Sequence, residues 1–572
     1  MTGEIETMSS DVQTQSTFDP ATLEILRSRL IGVTEEMWNT ILRTSYSTII
    51  GAALDYGCSL HDPRGDQIAH AAGSMPLFNL ALPAITRDLL ARFEGNIKPG
   101  DVFAGNDPWL CCGHLPDLAV MTPVFRGDRL VAFTTNVAHH ADFGGAHGQK
   151  RVREVYEEGI FLPVMKLYQE GERNEPMFEI LAANIRTPEM VLGDIEAQVA
   201  ANEVGAKVIT RLMDEYELED LTSLVDDLQG RSERAMREII ANLPDGTYSA
   251  EGFADIDPEP IKLAATITIR GDELMVDYTG SADQLESGGV NCTFNYTEAD
   301  THYALKCILA PDIPHNEGST RPMKVYAPEG SVLNCTFPAS VNNRTRVGWH
   351  FHGVLTDALA PMVPDKIMAN NGLLQTIRVV GTYPDGRGYN APMFAGGGMG
   401  GSKGLDGIGG YIYPSSASNV STEVFELSSP AMIMSKEFMP DTAGPGKWRG
   451  GPAQHIVIKK LPGYEPPIRI RYNSIRTTIP AYGIFGGGDG NLNDAYWNGE
   501  PVTPETELGR DGWTSLRTDD DELRFNVSSG GGYGPPSERD RSAIEEDIRL
   551  GYLTLEGAKE QYGYVPDDDQ NG

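Results

Sequence analysis

Residues 113–142, GHLPDLAVMTPVFRGDRLVAFTTNVAHHAD, leave little choice of local structure. Residues 118–125 and 130–137 are apolar runs rich in β-formers, and the Arg-Gly-Asp-Arg between them is a tight-turn sequence, so the two runs pair antiparallel as a hairpin. Cross-strand partners in an unbulged hairpin sum to a constant, and a turn centred on Gly127 and Asp128 puts residue 117 opposite about residue 138. Asp117 and His139 then become neighbours at the hairpin's open end. His114, three residues upstream in a loop that holds Pro116, is close enough to swing back onto the same point.

Two imidazoles and a carboxylate with room left over form the ligand set of a catalytic divalent metal rather than a closed structural one, and zinc and manganese both suit it. The metal ligands read from the hairpin are therefore His114, Asp117 and His139. Histidine and aspartate at strand ends also cap loops by hydrogen bonding, and that reading uses the same residues. His140 points to the opposite side of a continuing strand from His139. Asp142 reads as a carboxylate that orients a ligand histidine. Asp55 stands at the entrance of another strand–turn–strand sequence, LDYGCSLHDPRGDQIAH, and is a candidate fourth ligand or catalytic base. Asp55 and Asp142 are thus the candidate catalytic carboxylates.

The remainder reads as an α+β, multi-domain chain. Residues 1–18 form a polar, disordered tail. Residues 19–244 form an N-terminal region of helices and hairpins that carries the metal site. It opens on a helix started by Asp19 and Pro20, and its longest helical stretch is broken at Gly205 and Gly230. Residues 245–380 are β-rich, alternating polar and apolar positions around a Gly-Asp-Glu turn. In residues 381–572 glycine recurs among strand-like runs, which implies close backbone approaches or tight turns, and two short helices end the chain. His350 and His352, in RVGWHFHGV, alternate with apolar residues as on a strand and face one side, as buried hydrogen-bonded histidines or substrate contacts.

A formal net charge of −35 disfavours nucleic acid and anionic membrane surfaces as partners. No run approaches eighteen apolar residues and the N-terminus is acidic, so a cytoplasmic address is expected. Six cysteines without a C-x-x-C pair read as reduced thiols, vicinal Cys111 and Cys112 as small buried residues before they read as ligands. GGGMGGSKG resembles a phosphate loop in composition only, because Gly-Ser-Lys-Gly reverses the GK[ST] order.

The order DYGCSL, GDVFAGNDPW, GHLPD, NVAHHADFGG, EEGIFLPVMKL, IRTPEMVLGDIEAQ, PDIPHNEGSTRP, APEGSVLN, GPGKWRGG, FGGGDG and GGGYG with SERD resembles the hydantoinase B and oxoprolinase family from about residue 20 to the C-terminus. That resemblance implies a subunit of an ATP-dependent cyclic amide hydrolase of hydantoinase, lactamase or oxoprolinase type. A hydantoinase A type ATPase partner would bind ATP with magnesium and phosphorylate the substrate, and this chain would deliver metal-bound water to open the ring. It implies a hetero-oligomer of A and B type chains, with this chain inactive alone. The alternative it carries is a subunit of an ATP-dependent ketone carboxylase of acetone or acetophenone type. The family's H-x2-D…H ligand pattern falls on His114, Asp117 and His139. Its DFSCAL segment stands here as DYGCSL, which keeps Asp55 and replaces Phe-Ser by Tyr-Gly.

Overall fold

Asp19 starts the first helix: its carboxylate accepts from the amides of Ala21 and Thr22, and proline at the next position needs no amide partner. Helix α1, Pro20–Thr44, then buries Leu23, Leu26, Leu30, Val33, Met37 and Ile41 along one stripe. The computed structural model describes residues 18–146, 151–256 and 259–566, so the tail expected at the N-terminus lies, over residues 1–17, outside the described residues. Among the described residues the fold mixes helices with four sheets, as an α+β, multi-domain chain.

The sheet that positions the site has seven strands: β1 Tyr56–His61, β2 Gln67–His70, β3 Val102–Gly105, β4 Asp117–Arg126, β5 Arg129–His139, β6 Met165–Gln169 and β7 Glu172–Arg173, in the order β2-β1-β5-β4-β3-β6-β7. The predicted hairpin is β4–β5. Its pairing starts at Arg126↔Arg129 and slips at a bulge, where Val124 faces Ala132. The extra residue moves every later partner by one, so Asp117 faces His139 itself rather than stopping at residue 138. On the other side of β5, Tyr56 pairs with Ala138 and the His139 amide donates to the Asp55 carbonyl at 3.0 Å. Three adjacent strand ends therefore carry Asp55, His139 and Asp117 in a row.

The sheet's two faces are covered differently. Helix α2, Pro76–Arg92, lies against the face carrying those three residues; a Cβ added at Gly57 would stand 2.9 Å from Asn79 and 3.2 Å from Phe78. Helix α3, Pro188–Glu215, covers the opposite face, where Asn136 donates to the Gln198 carbonyl at 2.9 Å. Helix α4, Thr222–Ala241, follows. Both helices run through the glycines expected to break them. Gly205 is a packing residue, whose Cβ would meet Met37 at 2.5 Å and Thr134 at 2.9 Å, and tertiary packing outweighs the roughly 1 kcal/mol helix penalty of a glycine. The break falls after Glu215 instead, around Glu217 with φ 53°.

A second sheet is formed by β8 Gly246–Ala254, β9 Ile261–Arg270, β10 Glu273–Asp277 and β11 Met323–Tyr326. Two helices, α5 Phe294–Leu309 and α6 Thr345–Leu359, pack in the same region. The strand expected around His350 and His352 is therefore corrected to helix α6. Its core stripe is Val347, Phe351, Val354, Leu355 and Leu359, and two residues apart on a helix point about 200° from each other, not to one side. The short WHFHGV alternation concealed a longer 3.6-residue period.

The last two sheets are β12 Leu374–Thr382 and β13 Gly388–Gly396 with β16 Ile468–Asn473 and β19 Trp513–Leu516, and β14 Ala431–Phe438 and β15 Gln454–Lys460 with β17 Asp494–Trp497, β18 Glu500–Pro501 and β20 Glu522–Val527. Between them the glycine segments bond to one another through backbone: Gly398 to Ser528, Gly401 to Gly531, Gly451 to Met399, Gly530 to Gly451 and Gly532 to Gly488, at 2.7–3.0 Å. These are the close backbone approaches implied by composition. Two short helices, α7 Arg541–Leu550 and α8 Leu555–Tyr562, close the described chain as expected. All six cysteines are free thiols, and no described helix is long and apolar enough to cross a membrane.

Candidate metal centre and its cleft

The loop from Gly113 returns His114 onto the strand ends, as its spacing from Asp117 suggested. His114 Nε2 lies 2.7 Å from Asp117 Oδ1, His139 Nδ1 lies 2.8 Å from the same oxygen, and the two ring nitrogens are 3.1 Å apart. These three residues are the group among the described residues able to hold a metal ion. A tetrahedral ion with bonds of about 2.0–2.1 Å needs donor atoms about 3.3 Å apart, so a small outward movement accommodates one.

His114 Nδ1 faces the Asn342 carbonyl at 3.3 Å, and with the ring hydrogen on that nitrogen the Nε2 lone pair faces the Asp117 carboxylate. Two lone pairs at 2.7 Å repel unless a cation stands between them. Burial, with Arg344 nearby, pushes the His114 imidazole down to about 4, so the ring is neutral at neutral pH.

Asp117 is fully buried. Burial opposes its charge, yet His114, His139 and Arg344 hold its carboxyl well below the usual carboxylate range. Its second oxygen accepts from Arg344 Nη2 at 3.0 Å. Asp55, 7% exposed, opens onto the same cleft, and its Oδ1 has no hydrogen-bond partner among the described residues. Burial pushes its carboxyl up to about 6, against the opposing pull of His139. The cleft holds about 970 Å³ including its mouth, and Ile49, Leu77, Phe78, Ile377 and Phe394 give it an apolar wall.

The residues that complete the centre come from far along the chain and carry no sequence signal of their own. Asn342 supplies the carbonyl to His114, Asn343 accepts from Arg471 at 2.8 Å, and Arg344 holds Asp117. Glu158 fixes this segment by accepting from the amides of Val341 at 2.7 Å and Asn342 at 3.0 Å. It is 1% exposed, and burial pushes its carboxyl up to about 7 despite those amides. A folded-state value above the ordinary 4.5 means that the native chain binds this proton more tightly than the unfolded one. The group's contribution therefore rises as pH falls through about 7 and is complete below about 4.5. Between about pH 8 and pH 5.5 wild type should gain about 2 kcal/mol that Glu158→Gln does not, read as the difference between their urea unfolding curves; parallel pH profiles would refute it.

Other candidate residues are held elsewhere. Asp142 is bonded to the Arg186 side chain at 2.6 Å and backbone amide at 2.5 Å, and lines a separate cavity, so it is not brought to the three ligands. His140 faces away, as expected, with Nε2 2.9 Å from Gln198 Oε1. His352 is hydrogen-bonded to Asp300 at 2.8 Å, and His350 is buried with Nε2 unpartnered among the described residues. Cys111 and Cys112 are buried, their sulfurs 3.6 Å apart. Gly-Gly-Ser-Lys-Gly at 400–404 has the spacing of a serine nucleophile elbow, but Ser402 only closes a turn with Leu405, and no helix follows.

Comparison with known proteins gives a consistent result. The family described as hydantoinase B/oxoprolinase matches residues 19–536. The chain is 29% identical over 574 residues to a protein assigned as the B-type subunit of a D-/L-hydantoinase in Pseudomonas sp. (strain NS671), covering 96% of each. It is 28% identical over 583 residues to the beta subunit of caprolactamase from Pseudomonas jessenii, covering 96% of this chain and 97% of that one. A solved structure of ATP-dependent caprolactamase from that organism has the same fold, with a TM-score of 0.85 at 24% identity over 97% of each chain. So does an acetone carboxylase structure, with a TM-score of 0.83 at 17% identity over 96% of this chain and 80% of that one.

Proposed function

The chain belongs to the hydantoinase B/oxoprolinase family, and from that premise we propose that it is the metal-bearing subunit of an ATP-dependent cyclic amide hydrolase of hydantoinase or lactamase type. The observation that carries this reading is the convergence of His114, Asp117 and His139 beside the unpartnered Asp55 carboxyl, in a cleft with an apolar wall. A hydantoinase A type partner binds ATP with magnesium and transfers its terminal phosphoryl group to the amide oxygen. The glycine-rich segment here is no substitute for that partner, because the amides of Gly400, Gly401 and Ser402 already donate to Asn371, Gly531 and Leu405.

His114, Asp117 and His139 would hold zinc or manganese, which when bound supplies Lewis acidity and lowers the pKa of a coordinated water toward neutrality. Arg344 and the Asn342 carbonyl fix the orientation of Asp117 and His114. Asp55 takes the proton of the water whose oxygen adds to the carbon that bears the phosphorylated oxygen, a task that suits a carboxyl raised to about 6. The ring C–N bond then breaks with its electron pair going to nitrogen, which takes up a proton. A second water releases phosphate from the acyl phosphate and leaves the carboxylate.

The test is ATP-dependent turnover of a panel of hydantoins and lactams by this chain co-expressed with its ATPase partner, with ketones and bicarbonate run in parallel. Ring opening that is lost in His114→Ala and Asp117→Ala is the expected result. Ketone carboxylation without ring opening, or ring opening that survives both substitutions, would overturn the reading.

A further inference from the structure

The cleft has a second polar group. Strands β12 and β16 pair so that Arg378 and Arg471 stand directly opposite each other, with side chains on one face, and both line the cleft that His114, Asp117 and His139 open onto. Like charges facing each other across a ladder destabilise it, so a pair of this kind calls for a counter-charge. None is supplied by an ion pair among the described residues. Arg378 donates to the Ala141 carbonyl at 2.6 Å and Arg471 to the Asn343 side chain at 2.8 Å, both neutral acceptors. The carboxylate nearest in charge to Arg378, Asp142, is bonded to Arg186. The cleft's other arginine, Arg344, is paired with Asp117, and Asp300 with His352. Arg471 is only 8% exposed, and burial followed by the like charge of Arg378 pushes its guanidinium down to about 9.

A −35 chain thus places two arginines without an ion pair among the described residues in a cleft that also has a candidate metal-ligand set and an apolar wall. The ligand that matches all three is an apolar ring bearing a compact dianion. We propose that Arg378 and Arg471 seat the phosphoryl group of the activated substrate, so that the ligand of this cleft is an O-phosphorylated cyclic amide; this rests on the hydrolase reading above. Guanidinium pairs suit phosphoryl oxygens because each presents parallel N–H donors. A single carboxylate on a ring substrate would use the same donors more weakly, and the test separates the two.

The probe is inorganic phosphate, titrated calorimetrically into the purified full chain, both metal-loaded and chelator-stripped, with acetate as the competing carboxylate. Wild type should bind one phosphate per chain in both states, and Arg378→Gln and Arg471→Gln should each weaken it about tenfold or more while metal content stays unchanged. Arg471→Lys should restore part of the affinity. Phosphate should raise the melting temperature of wild type but not of either glutamine variant, a response that a merely structural role for the arginines would not produce. Unchanged phosphate affinity in both glutamine variants, no binding by wild type up to about 20 mM, or displacement by equimolar acetate would each overturn the proposal. Arginine-dependent phosphate binding without turnover of any ring substrate would remove the hydrolase reading and keep this site; ring opening indifferent to both glutamine substitutions would do the reverse.

Discussion

Asp117→Asn is expected to destabilise the metal-stripped chain by about 3–5 kcal/mol and to abolish stoichiometric metal binding, because it breaks a buried ion pair from one side. Asp117 is fully buried and Arg344 is 3% exposed in its side chain, so the substitution strands a guanidinium with no solvent to receive it. It also removes the anionic donor that holds His114 and His139 together. The two consequences are measured separately, by urea unfolding in chelator and by metal content after dialysis. The double change Asp117→Leu with Arg344→Met should recover much of the stability and none of the metal, since an apolar pair often replaces a buried ion pair without loss. A loss below about 1 kcal/mol in the single variant, or a full complement of metal, would show that Asp117 is not the keystone of the centre.

The second large effect concerns backbone. At Gly451 an added Cβ would lie 2.0 Å from the Ile408 carbonyl oxygen and 2.5 Å from its carbon; at Gly398 it would lie 2.0 Å from the Gly451 oxygen and 2.4 Å from the Gly530 nitrogen. Side chains yield to a misfit by changing rotamer, but these contacts are all main chain, held by the hydrogen bonds that join the segments. Gly451→Ala should therefore cost at least about 3 kcal/mol, the upper end of what overpacking usually costs, and be seen as insoluble protein or a much lower urea midpoint. Gly32→Ala is the control. Nothing lies within 4 Å of its Cβ position in α1, and alanine there should stabilise by about 0.5–1 kcal/mol. Equal tolerance of alanine at 451 and 32 would remove the packing argument.

The convergence of the three candidate ligands was legible because their spacing is local. Turn residues, β-runs and the H-x2-D spacing brought Asp117, His139 and His114 together within one short stretch, and the bulge at Val124 shifted the register by only one position. Asp142 looked equally well placed, but Arg186, 44 residues further on, holds it. The helix at His350 was concealed because a short window fits both periods. The arginines were beyond reach for another reason: Arg344 meets Asp117 from 227 residues away, and Arg471 meets Asn343 from 128. A trace was present in LQTIRVV and IRIRYN, where arginine interrupts runs that otherwise read as buried strand.

The glycine lattice also sets the order in which the cleft comes into being. Its segments, near residues 370, 398, 451, 488 and 530, have few side chains with which to collapse early, and each depends on distant partners, as Gly372 does on Ser528, 156 residues away. Non-local contacts of this kind form late, because the loops between them must close first. On the ribosome the group of His114, Asp117, His139 and Arg344 is encoded by residue 344, whereas the sheet that presents Arg378 and Arg471 waits for Trp513–Leu516 and for the strand ending at Val527 beside it. The nascent chain therefore has His114, Asp117, His139 and their Arg344 contact available well before the far wall of the cleft beside them.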